Sequence, residues 1–195
     1  MKKLILLLAF PLSMIAQENI ALNVAQDLRM ATTGDSNGNE AFTTNILTRI
    51  DLQSNQLSTG YVVVGVQYEY ADLDGSSFSR YSLNGGYTFN KFNLFGSDKF
   101  EFTLLASYGG TVRTIYRHDR YIRPVFASFS GSMSLSYPIG DTGFRVVAVG
   151  QLLHRVDKTS LYGNDASYTL PLLNADASGF VGIQYTFKLK PMRRF

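Results

Sequence analysis

Residues 175–189 read A-D-A-S-G-F-V-G-I-Q-Y-T-F-K-L. The odd positions carry Ala177, Gly179, Val181, Ile183, Tyr185, Phe187 and Leu189; the even positions carry Asp176, Ser178, Phe180, Gly182, Gln184, Thr186 and Lys188. Successive side chains of a strand point to opposite faces. One face is therefore apolar and ends in aromatics, while the other is polar apart from Phe180. The run is long beside the ~5–6 residues of an ordinary strand. It matches the ~9–11 residues of a tilted strand that crosses a membrane. The pattern recurs back through the chain, so this stretch reads as the strand that closes a sheet.

Working outward, seven earlier segments alternate in the same way. Residues 19–31 set Ile20, Leu22, Val24, Leu28 and Met30 against Asn23, Asp27 and Arg29. Residues 42–53 set Phe42, Ile46, Ile50 and Leu52 against Asn45, Arg49, Asp51 and Gln53. Residues 60–71 set Val62, Val64, Val66, Tyr68 and Tyr70 against Gln67 and Glu69, and 79–89 set Tyr81, Leu83, Tyr87 and Phe89 against Arg80, Ser82, Asn84 and Thr88. Residues 100–112 oppose Phe102, Leu104, Ala106 and Tyr108 to Glu101, Thr103 and Ser107. Residues 125–137 oppose Phe129, Met133, Leu135 and Tyr137 to a serine row, Ser128 to Ser136. Residues 144–153 are apolar on both faces, and Arg145 and Gln151 mark the inner parity. Between these lie expected connections at 32–40, 54–59, 72–77, 90–99, 113–123, 138–143 and 154–172. Pro124, Pro138 and Pro171 fall at strand ends or in connections, where no ladder donor is lost.

The chain opens with Lys2 and Lys3, an apolar run over 4–15 and Ala16-Gln17, the layout of a secretory signal peptide. The apolar run is too short to cross a bilayer as a helix, which takes about 20 residues. Residues 1–16 are thus expected as a leader and 17–195 as one domain. Met14 sits at the −3 position of this cut, where a small residue is usual. Removal of Lys2 and Lys3 lowers the formal charge from +3 to +1, so the basic pI is no nucleic-acid signal. With no cysteine, disulfides, thiol catalysis and cysteine metal sites are excluded. Charged residues at 17% lie below the ~25% usual for soluble domains.

Two architectures share this alternation: a membrane barrel with its apolar face outward, and a lipocalin-like soluble barrel with the faces exchanged. The polar face carries Asp27, Asp51, Glu69, Glu101 and Asp176 against Arg29, Arg49, Arg80, Arg145 and Lys188. That balance suits a lumen, where an unpaired charge is costly. The expected connections alternate between longer polar loops and shorter turns, as in transmembrane barrels. The fold expected is therefore an all-β, eight-stranded antiparallel up-and-down transmembrane β-barrel.

With these strands in view, the chain resembles the small eight-stranded outer-membrane barrels of Gram-negative bacteria, of the OmpX and OmpA membrane-domain type. That resemblance implies an assembly signal in the last strand, a glycine followed by aromatic or apolar residues three and five positions on. Gly182, Tyr185 and Phe187 fit it. Phe180 departs from the polar residue expected two before the glycine, and the chain continues to Phe195, so the terminal aromatic is either Phe187 or Phe195. The resemblance implies outer-membrane lipid, lipopolysaccharide and the outer-membrane assembly machinery as partners.

An eight-stranded barrel is filled by its own side chains, which argues against an open pore. Enzymes of this fold class modify lipid A and need a histidine near a serine and a carboxylate. The histidines are His118 and His154, beside Asp119 and near Asp157 and Ser160, and neither stands in the His-x-Ser arrangement that a lipid A deacylase carries. No metal-ligand cluster or phosphate loop is present, so no cofactor is expected. The segment 113–123, R-T-I-Y-R-H-D-R-Y-I-R, gathers Arg113, Arg117, Arg120 and Arg123 with Tyr116 and Tyr121. Arginine forks bind phosphate and tyrosine suits an interface. The segment is read either as a lipopolysaccharide or partner contact or as a solvated, internally paired loop. The functional expectation is a non-enzymatic barrel with a structural, envelope-stability or surface-interaction role. Alternatives are a lipid A-modifying enzyme, a soluble ligand-binding barrel, and an accessory subunit with an envelope protein partner.

Overall fold

The computed structural model describes residues 17–34, 39–73, 76–117, 120–122, 125–155, 160–163, 166–169 and 175–189. Residues 1–16, expected as a leader, and His118, Arg123 and Phe195 lie outside the described residues. The elements are β1 (Gln17–Asp27), α1 (Leu28–Thr32), β2 (Asn45–Ser54), β3 (Gly60–Leu73), β4 (Ser76–Leu94), β5 (Ser97–Arg117), β6 (Arg120–Ile122), β7 (Val125–Pro138), β8 (Phe144–Arg155), β9 (Ser160–Gly163), β10 (Ala166–Thr169) and β11 (Ala175–Lys188). The wall runs β1-β2-β3-β4-β5-β7-β8-β11, every pair antiparallel, and β11 returns to β1 from Asn19↔Lys188 to Asp27↔Phe180. This is a closed, eight-stranded, up-and-down barrel. Closure leaves no unpaired sheet edge.

One end, the turn end, carries the turns after β2, β4 and β7 together with Gln17 and Lys188. The other, the loop end, carries α1, the β5–β6 hairpin and the separate two-stranded β9–β10 sheet.

Several strands run further than alternation suggested. The connection expected at 90–99 is mostly strand, with β4 ending at Leu94 and β5 starting at Ser97. Of the loop expected at 72–77, residues 72–73 belong to β3 and 76–77 to β4, while 74–75 lie outside the described residues. The basic segment 113–123 is in part a hairpin, pairing Ile115↔Ile122, Tyr116↔Tyr121 and Arg117↔Arg120. Main-chain ladders do not depend on side-chain polarity, so a ladder continues past the point where the apolar face stops. In the first segment the outcome is reversed. The strand expected to reach residue 31 stops at Asp27, whose carboxylate accepts from the backbone N–H groups of Arg29 and Met30 at 2.9 and 3.2 Å and starts α1. Aspartate at this cap satisfies donors a helix start leaves open.

The inward positions are odd on β1, β2, β3, β5 and β8 and even on β4, β7 and β11. The two sides of the lumen differ in filling. Toward β1, β2, β8 and β11 lies an apolar cluster of Ala25, Leu47, Val147, Val149 and Phe180. Phe180, the exception on the polar face of the closing strand, is therefore a lumen filler. Toward β4, β5 and β7 many inward residues are small and hydroxylic. Thr88 bonds Thr103 at 2.8 Å, Ser107 bonds Ser130, and Thr111 bonds Ser128 at 3.4 Å, all across strand pairs. The serine row is thus partly satisfied by neighbouring hydroxyls.

Candidate functional site

The lumen is crossed by a polar cluster. Glu69 on β3 stands directly opposite Arg80 on β4 in the register, and Arg80 Nη2 meets Glu69 Oε2 at 2.9 Å. Gln151 comes from β8, on the far side of the wall. Its Oε1 accepts from Arg80 Nη2 at 2.9 Å and from Gln67 Nε2 at 3.0 Å, while its Nε2 donates to Glu69 Oε2 at 3.1 Å. The side chains of Arg80 and Glu69 are only 1% and 3% exposed. Buried charges of this kind persist when paired and hydrogen-bonded. Together the four side chains tie opposite walls across the bore.

Toward the turn end a second layer repeats the arrangement. Tyr61 on β3 donates to Glu101 on β5 at 2.9 Å, and Arg145 on β8 pairs with Glu101 at 3.3 Å. Arg145 Nε also donates to Ser136 Oγ at 2.9 Å. This layer floors a polar vestibule of about 510 Å³ that also touches Asn19, Gln53 and Lys188. On the β1–β2 wall, Arg49 Nε donates to Asp51 Oδ2 at 2.6 Å, and Asn23 donates to the same oxygen at 3.2 Å. Asp27, fully buried, takes Asn45 at 3.4 Å besides capping α1.

Two of the residues expected in the interior network are elsewhere. Arg29 sits on α1 with its side chain 56% exposed, 3.5 Å from Asp27, because the cap turned the chain out of the sheet. Lys188 is exposed at the mouth of the vestibule, where β11 ends. The side chain of Asp176 lies outside the described residues. Sequence reading noted Gln67 and Gln151 as polar-face markers but did not foresee that they meet across the bore. Tyr61 was missed; its signal was odd parity shared with Gln67 and Glu69 in an otherwise aliphatic run.

Of the basic segment, Arg113 continues the inward parity of β5, and its Nη2 donates to Ser76 Oγ at 3.3 Å. Arg117 and Arg120 face each other in the β5–β6 register, as do Tyr116 and Tyr121, but their side chains, like all of Arg123, lie outside the described residues. His154 lies on β8 opposite Phe129 and Ala175 in register, its side chain likewise outside. Among the described residues no group of His, Asp or Glu gathers into a metal-binding set. Gly182 is inward on β11, where an added Cβ would meet the carbonyl of Val24 and the Cα and Cβ of Ala25. Tyr185 packs between Phe144 and Phe187, with ring centroids 4.5 and 4.6 Å away.

The outward face is apolar. Val24, Ile50, Val66, Leu83, Leu104, Met133, Leu152, Val181 and Ile183 are all exposed. At the turn end this band meets Tyr87, Phe89, Phe102, Tyr137, Phe144, Tyr185 and Phe187; toward the loop end it meets the Tyr68–Tyr81 pair, centroids 4.8 Å apart, with Tyr108 and Phe129. Apolar outside and charged inside reverses a soluble barrel and is the arrangement of a wall solvated by lipid.

No protein-family model matches the sequence, and neither does any curated protein. Among solved structures, the chain is similar to Neisserial surface protein A (NspA) at 10% identity and a TM-score of 0.45, over 88% of this chain and 95% of that one. It is also similar to the N-terminal β-barrel domain of Pseudomonas aeruginosa OprF at 13% identity and a TM-score of 0.48, over 88% and 98%. A likeness this distant transfers neither residues nor role.

Proposed function

We propose that this protein is a non-enzymatic integral barrel of a Gram-negative outer membrane, with a structural, envelope-stability or surface-interaction role. The observation that carries the reading is the Glu69–Arg80–Gln151–Gln67 cluster inside an apolar-faced closed wall. A bore tied shut by side chains from opposite strands is unsuited to diffusion, and an apolar outer surface is suited to lipid. The test has two arms. The protein should fractionate with outer membranes and resist carbonate extraction, and proteoliposomes holding it should not swell in small sugars. Recovery from the soluble periplasm would refute the membrane reading; sugar flux would refute the closed bore.

The finer reading is that the basic hairpin contacts lipopolysaccharide phosphates at the loop end. It is supported by the pairing of Arg117 with Arg120 in a hairpin that also contains Tyr116 and Tyr121. Arg113 is less suited, since its Nη2 is engaged with Ser76. Replacing Arg117, Arg120 and Arg123 by Gln should leave the fold intact and reduce lipopolysaccharide co-purified with the protein, most clearly at low salt, where the arginine–phosphate attraction is least screened. Equal retention at low salt would reject the contact. Replacing His118 and His154 by Ala should leave the lipid A mass profile of expressing cells unchanged; a profile that depends on either histidine would move the protein into the enzyme class.

A further inference from the structure

The β4–β5 hairpin overhangs the barrel. On one side, pairing with β3 runs out at Gly60↔Phe89, followed by one bond from Asn90 N to Thr59 O at 3.1 Å. On the other, pairing with β7 begins only at Glu101↔Ser136. Between these limits Phe92↔Phe100 and Leu94↔Ser97 pair with each other alone. The arm reaches roughly 13 Å past the wall at ~3.3 Å per residue. Its root is held where Arg145 Nη2 donates to the carbonyl of Lys99 at 3.1 Å.

The arm's composition is unusual for a bare hairpin. Its tip is Phe95-Gly96, with φ of 53° and 79°. Turns with two positive φ values favour Asn, Asp or Gly at the first position, and a bulky residue there is an outlier. Phe95 is nevertheless 92% exposed. A two-stranded hairpin is marginal alone in water, and this one offers it Phe92 as well. The rings are continuous with the outward aromatic band. Phe95 lies 6.5 Å from Phe100, Phe100 lies 4.8 Å from Tyr137, and Phe92 lies 5.3 Å from Phe102. Lys91, Asp98 and Lys99 are exposed on the same arm, which leaves one positive charge in excess.

We propose that this arm is a membrane anchor, its aromatic face seated in the phospholipid headgroup layer at the turn end with Lys91 and Lys99 against lipid phosphates. Two observations select lipid as the occupant: the arm's rings extend the band that meets lipid, and its cations match phosphate. The proposal rests on the barrel being membrane-inserted, and the test separates the two. The chain has no tryptophan, so a single substitution installs a clean probe. Phe95→Trp, Phe92→Trp and, as a reference in the band, Phe144→Trp are each folded into phosphatidylethanolamine–phosphatidylglycerol vesicles. Phe95→Trp should emit to the blue of its denatured state, lose most emission to lipids brominated near the headgroup, and resist acrylamide. Emission at the denatured wavelength with full acrylamide quenching, while Phe144→Trp remains lipid-quenched, overturns the anchor and leaves the barrel reading standing; the arm would then face water and soluble partners. Water-like emission from both would overturn both. Phe92→Trp gives the same readout should Phe95→Trp fail to fold. Phe95→Asn suits the turn, so adding it to Phe92→Trp should keep the hairpin yet shift emission toward the red; no shift would exclude Phe95 as the anchoring ring.

Discussion

Glu69 and Arg80 illustrate how a lumen pair is best probed. Arg80 donates through Nη2, while its Nε and Nη1 are buried without a hydrogen-bond partner among the described residues. Such a pair is costly to break and not costly to replace. Glu69→Ala strands the guanidinium and should destabilise the barrel by about 3–5 kcal/mol, whereas Glu69→Leu with Arg80→Met should cost far less or stabilise. Denaturant unfolding in detergent micelles, followed by circular dichroism, measures both; equal losses in the single and double variants would contradict the pairing. Glycine offers a second contrast. A Cβ on Gly182 would meet the backbone of Val24 and Ala25, while one on Gly179 would meet open space. Gly182→Ala should cost about 1–3 kcal/mol through overpacking, and Gly179→Ala should be close to neutral by the same measurement. The glycine of the expected assembly signal thus has a packing reason of its own, which its spacing to Tyr185 and Phe187 did not reveal.

β11 closes the wall, pairing with β8 on one side and β1 on the other. Its outward aromatics join Phe144 in one cluster. Tyr185→Ala with Phe187→Ala should therefore lower the amount of heat-modifiable barrel recovered from cells, read as the fraction migrating compactly on unheated gels. Unchanged recovery would assign the terminal role to Phe195 or another feature. Among the elements, the existence and facing of the eight wall strands were legible from alternation, even on β8, where Arg145 and Gln151 both turn inward, but β6, β9 and β10 lie in the segments 113–123 and 154–172 that were expected as loops. Strand length was not legible. β4 and β5 run on through Asn90–Leu94 and Ser97–Lys99, with register shifts between Phe89 and Phe92 and between Phe92 and Leu94, because hydrogen bonding is a main-chain matter that the charged residues there do not end. β1 shows the converse, for Asp27 fits a polar strand face equally well until its carboxylate captures two N–H groups and ends the strand.

At the scale of the molecule the barrel and the β9–β10 sheet are separable. β9 and β10 pair only with each other among the described strands. Replacing 160–169 by a short Gly-Ser link should leave a heat-modifiable barrel, since connections tolerate change. Removing 175–195 should leave none, because both edges of the sheet would then be open. Retention in the second case, or loss in the first, would show that closure does not organise the fold.

The period-2 pattern was enough for strand number, for the two faces and for a polar lumen, because alternation is a local property that the chain carries wherever it goes. It was silent on which inward residues meet. Gln151 lies more than seventy positions from Arg80 and more than eighty from Glu69, and their encounter follows from strand tilt and register around a closed ring. The same holds for Arg29 and Lys188, whose charges fitted the inward set by parity but sit where the ring has ended. The overhang of the β4–β5 arm was hidden likewise, since it exists only relative to where β3 and β7 stop. Local composition dictated the wall; closure of the wall decided what fills it and what extends beyond it.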